Sequence, residues 1–103
     1  MFTTRPEIAG TFGVVASTHW LASQVGMAVL ERGGNAFDAA CAAAFTLHVA
    51  EPHLNGPGGD APIILHDART GTQRVVCGQG VSPQAATLDG FRALDIDLIP
   101  ATG

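Results

Sequence analysis

Gln79 stands between two glycines in Cys77-Gly78-Gln79-Gly80, where an apolar, β-like run ends. Loops at strand ends often carry function. A long amide there serves either to orient a polar group of a small molecule or simply as an exposed turn residue. A second stretch, Asn55-Gly56-Pro57-Gly58-Gly59-Asp60, is shaped by glycine and proline. Glycine lets backbone approach a ligand closely, and it equally allows a tight crossing into a strand, so both roles stay open for Gly56, Gly58, Gly59 and Asp60.

Other chemistry finds less support. His48, Glu51, His53, Asp60 and His66 lack the H-E-x-x-H and Cys-x-x-Cys spacings of a metal site, and the reading is no metal. Gly33-Gly34-Asn35 precedes a helix start, where anions are attracted. There is no G-x-G-x-x-G after a strand and no G-K-[ST], so a helix–helix corner is the better account. Cys41, in a run of alanines, and Cys77 are read as small packing residues. A Cys–His nucleophile pair has no local support. All five cations are arginine, which excludes a lysine nucleophile, a Schiff base or a Walker lysine within these residues.

The elements that would position these groups follow from pattern. Residues 1–12 read as an irregular lead-in, with Pro6 and Gly10 as breakers. Gly13–Ser17 reads as a short buried strand, and Ser17 or Thr18 as the cap of a helix over residues 19–32. Leu21, Val25, Ala28 and Val29 form its broad apolar face, flanked by Ala22, Gly26 and Leu30. Gly33-Gly34 ends it, Asn35 caps the next helix, and Asp38 sits near the positive helix end. That second helix, residues 36–50, stops before Pro52 and is apolar on nearly every side. Such a helix is central and needs covering on several faces. Ile63–Asp67 reads as a buried strand, and Gln73–Cys77 as the second arm of a hairpin about the turn Ala68–Gly71. Thr87 caps a short helix through Leu94, and residues 95–103 read as irregular.

The totals set bounds. With 103 residues the chain makes one small domain at most. Its composition is 47% hydrophobic and 14% charged. The net charge of −4 and pI near 5.3 argue against nucleic acid or anionic membrane as partners. The longest unbroken apolar run, Ala39–Phe45, is far short of the roughly 20 residues of a spanning helix. The start lacks the apolar core of a secretory leader, and the expectation is cytoplasmic residence. Burying an apolar side chain is worth about 1.5–3 kcal/mol. Leaving several on the second helix uncovered would consume much of a small domain's roughly 5–15 kcal/mol. The expectation is therefore that the protein continues beyond Gly103 or that another chain covers this surface.

The ordered set Gly13–Ser17, Leu30-Glu31-Arg32-Gly33-Gly34-Asn35-Ala36-Phe37-Asp38-Ala39-Ala40, Glu51-Pro52, Gly56-Pro57-Gly58-Gly59 and Ser82-Pro83-Gln84-Ala85-Ala86-Thr87 resembles the N-terminal part of gamma-glutamyltranspeptidases. The match runs over about residues 12–103. The resemblance implies an α+β segment of an N-terminal nucleophile hydrolase, a four-layer αββα sandwich, here covered over residues 13–103. It implies a precursor that cleaves itself into two subunits. The new N-terminal threonine is then nucleophile and, through its amine, base, so no cofactor is needed. Its partners would be the rest of the precursor and a small-molecule amide. The nucleophile lies outside these residues, and the segment alone is expected to be inactive. True transpeptidases of the family carry an arginine four residues before the proline of the Ser82-Pro83 segment, where it grips the glutamyl alpha-carboxylate. Gln79 occupies that position here. A neutral amide lacks the charged, two-pronged grip of a guanidinium, so the resemblance points to an acylase-like member. The contrasting readings are a stand-alone module that binds a partner through its apolar helix and, less well supported, a phosphate-binding domain.

Overall fold

The computed structural model describes residues 6–94 and Leu98. The elements run α1 (Trp20–Glu31), α2 (Ala36–Ala50), β1 (Pro62–Asp67), β2 (Thr72–Cys77) and α3 (Leu88–Ala93). They fall into two compact units, Met1–Pro57 and Gly58–Gly103.

In the first unit, residues 6–12 are irregular and Gly13–Ser17 is extended but forms no ladder. The expected strand is thus corrected: a strand exists only through cross-strand hydrogen bonds, and no described strand pairs with this segment. The cap of α1 is also corrected. His19 holds it, its Nδ1 accepting from Leu21 N at 3.2 Å. The two hydroxyls expected there are engaged elsewhere. Ser17 Oγ donates to His19 O at 2.7 Å and shares a hydrogen bond with Ser23 Oγ. Thr18 Oγ1 donates to the Glu51 carboxylate at the far end of α2.

The corner between the helices forms as its residues dictate. Gly33 takes φ +90°. Its N–H donates to Leu30 O at 3.0 Å and that of Gly34 to Val29 O at 2.9 Å, the paired bonds of a Schellman ending. Asn35 then opens α2 directly. Its Oδ1 accepts from Phe37 N (2.8 Å) and Asp38 N (3.0 Å), while Asn35 N donates to Asp38 Oδ2 (3.0 Å), a complete capping box. At the other end of α2, Asn55 Nδ2 donates to Glu51 O at 3.0 Å and Leu47 O at 3.4 Å, a second donor for carbonyls that already accept from Leu54 N and Glu51 N.

The helices meet through small residues. Ala22, Gly26, Ala39 and Ala43 are buried, and the three alanines are the buried apolar side chains among the described residues. The contact is therefore centred on positions expected only to flank the apolar face of α1, because small side chains admit the closest backbone approach. Leu21 is partly exposed instead. On α2, Phe45 and Val49 are 69% and 83% exposed. The helix that is apolar on nearly every side is thus covered by α1 on one face.

In the second unit, β1 and β2 pair antiparallel from Pro62↔Cys77 to Asp67↔Thr72. Gly71 takes φ +66° in the turn. Asp67 Oδ1 accepts from Arg69 N at 3.0 Å and Oδ2 from Thr70 Oγ1 at 2.9 Å, fixing the turn locally. Both arms are exposed for most of their length, contrary to the burial expected of the first, because a two-stranded ribbon covers neither of its own faces. Thr87 caps α3 by accepting from Gly90 N at 3.1 Å. The irregular tail expected over residues 95–103 lies, apart from Leu98, outside the described residues. No described helix is long and apolar enough to cross a membrane.

Candidate functional site

The mouth of the hairpin carries the residues singled out by their chemistry. Beyond the strand ends one further pair closes: Ala61 N donates to Gly78 O at 3.3 Å, and Gly78 N to Ala61 O at 3.1 Å. Gly78 is required there, since a β-carbon on it would lie 2.6 Å from Ala61 O. Continuing this register one step sets Asp60 opposite Gln79. At that step a side chain replaces the backbone: Gly80 N donates to Asp60 Oδ1 at 3.2 Å. Gln79 is thereby the exposed residue between two anchored glycines. Cys77 Sγ donates weakly to Gln79 Oε1 at 3.5 Å.

Of the glycine-rich crossing, Gly56 belongs to the first unit, and Gly58, Gly59 and Asp60 to the second. Gly58 takes φ +90° with open space around it, so it serves backbone conformation and not packing. The contact from Asp60 to Gly80 was not legible in the sequence. The register of the hairpin was the signal that would have revealed it.

The cysteines correct an expectation. Both are free and exposed, not packed. Cys41 lies on a face of α2 that α1 does not reach, whereas Ala39 and Ala43 on the covered face are buried. His48 is half-buried with its ring edge-on to Phe45, the centroids 5.6 Å apart. The first unit also holds an open, largely apolar groove of about 490 Å³ between Val14–Thr18 and the Ala36, Ala40 and Ala44 face of α2.

The chain superposes on solved gamma-glutamyltranspeptidases. It superposes over its full length on LmbA2991T421A, with a TM-score of 0.86 and 64% identity, covering 18% of that chain. Its three helices and antiparallel hairpin are thus an α+β segment of the N-terminal nucleophile hydrolase fold. The family description "Gamma-glutamyltranspeptidase" matches residues 22–102, and the chain belongs to that family. It is 42% identical over 82 residues to a glutathione hydrolase proenzyme of Bacillus subtilis (strain 168), covering 80% of this chain and 14% of that protein. It is 40% identical over 96 residues to an acylase ACY 1 proenzyme of Pseudomonas sp. (strain V22), covering 91% of this chain and 17% of that protein. The chain therefore spans about one seventh of the length of the glutathione hydrolase.

Proposed function

We propose that these residues are the N-terminal large-subunit segment of an amidohydrolase that works through a threonine acyl-enzyme and favours an acyl group other than free gamma-glutamyl. The observation that carries this reading is Gln79, four residues before Pro83, in a chain of the gamma-glutamyltranspeptidase family. Where the family's transpeptidases hold a carboxylate with arginine, this chain offers a neutral amide that donates and accepts but carries no charge. Asp60, bonded to the next residue along, adds an anion to the same loop. Both features disfavour a carboxylate-bearing donor and suit a neutral polar acyl group.

The chemistry itself falls to groups beyond these residues. A threonine at the start of the small subunit attacks the amide carbonyl, its own amine taking the proton. Backbone donors hold the oxyanion, the amine leaves, and water or an acceptor amine resolves the ester. No cofactor enters this scheme. The partner of this segment is the remainder of a larger precursor, which its similarity to proenzymes supports. Residence in the cytoplasm belongs to the same proposal.

The test is the whole protein against paired donors. Faster release from neutral N-acyl amides than from a gamma-glutamyl anilide is expected. Cleavage of the gamma-glutamyl anilide at the rate of an arginine-bearing transpeptidase overturns the reading.

A further inference from the structure

The hairpin mouth holds Gln79 from both sides. Gln79 lies between two glycines, the least constrained backbone a chain can offer. A side chain in such a stretch samples many directions, and fixing the backbone beneath it costs conformational entropy. Two contacts remove that freedom here. The Ala61–Gly78 pair fixes the residue before Gln79, and the Asp60 carboxylate accepts from the N–H of the residue after it. Asp60 is itself set by the neighbouring Ala61 in the same pair. The Gly80 N–H on the Asp60 carboxylate is a charge-assisted hydrogen bond, and an amide oxygen in the same place would keep the acceptor.

We propose that Asp60 is a positioning residue: by clamping Gly80 it aims the Gln79 amide at the acyl group of the substrate. This rests on the reading that Gln79 contacts that group. Asp60 takes no part in bond making or breaking. It shortens the search of Gln79 and so acts on binding of the acyl group.

The experiment uses the mature enzyme from the full precursor, its preferred neutral amide donor, and the variants Gln79→Ala, Asp60→Ala and Asp60→Asn. Asp60→Ala is expected to raise KM about fivefold, the size of one net hydrogen bond, with kcat nearly unchanged and faster hydrogen exchange at the Gly80 amide. Asp60→Asn keeps an oxygen acceptor and is expected to restore both KM and Gly80 protection. An effect of charge alone would not be restored by this neutral side chain. Combined with Gln79→Ala, Asp60→Ala is expected to add nothing further. If Gln79→Ala raises KM while Asp60→Ala does not, the clamp is overturned and the role of Gln79 stands. If Gln79→Ala leaves KM unaltered, the substrate reading falls and the clamp falls with it. A loss in Asp60→Ala that Asp60→Asn fails to restore also overturns the clamp.

Discussion

Gly26 of α1 lies directly over the backbone of Ala39 in α2: a β-carbon placed on it would sit 3.3 Å from the Ala39 carbonyl oxygen and 3.6 Å from Ala43 Cβ. The same atom would come within 2.9 Å of Val15 Cγ1. Two effects oppose each other at this position. Replacing a mid-helix glycine gains about 1 kcal/mol of helix propensity. Crowding a close backbone contact costs about 1–3 kcal/mol. Gly26→Ala is expected to be near neutral, with Val15 turning aside. Gly26→Val, with two further carbons and weaker propensity, should lower stability by about 2 kcal/mol. Denaturant unfolding of the intact protein checks the pair, and equal effects from both would refute the close approach.

The capping box gives a second expectation. Asn35→Ala leaves the amides of Phe37 and Asp38 without their acceptor, and a loss of about 1 kcal/mol follows. Asn35→Ser should recover most of it. The measurement is the unfolding midpoint of the three proteins at matched concentration.

The two glycines before Asn35 are not equivalent. Gly33 has open space but φ +90°, so Gly33→Ala is opposed only by backbone strain, about 1 kcal/mol. A β-carbon on Gly34 would lie 2.5 Å from Val29 Cγ1 and 2.9 Å from Val29 O. Gly34→Ala should therefore be the more damaging, by 1 kcal/mol or more. The order of the two melting temperatures decides it.

On the proposed reading, Gln79→Arg places a guanidinium where the acyl group of the substrate is held. A hydrogen bond to a charged group is worth about 1.5–3 kcal/mol. The variant is expected to raise kcat/KM for a gamma-glutamyl anilide about tenfold or more and to lower it for neutral acyl donors. Steady-state kinetics on both donors, with unchanged maturation of the precursor, make the comparison.

What was legible in the sequence was local. Gly33-Gly34-Asn35 with Asp38 specifies a stop and a start by contacts within a few residues, and both formed as expected. The hairpin about Ala68–Gly71 was equally local, each strand gaining one residue at its start. The misreadings involve partners distant in sequence. Gly13–Ser17 has strand composition, but composition supplies no ladder. Ser17 and Thr18 are good capping residues, yet Thr18 is taken by Glu51, 33 positions away. Cys41 was read as buried from its alanine neighbours, whereas burial on α2 depends on which face α1 covers. The site divides likewise. Gln79 is a candidate singled out by its own setting between glycines, and the grip of Asp60 on Gly80 appears only once the two strands are aligned.

The corner from Gly33 to Asn35 also indexes one helix against the other. Every residue in it is committed: one to left-handed backbone, one to close passage over Val29, one to opening α2. No slack remains to absorb a change in chain length. An extra residue between Asn35 and Ala39 would swing the rest of α2 by about 100° and carry Ala39 and Ala43 off Gly26. Drift at this joint is therefore confined to substitution, whereas the exposed turn at Ala68–Gly71 joins two strands held by their own ladder and can lengthen without breaking it.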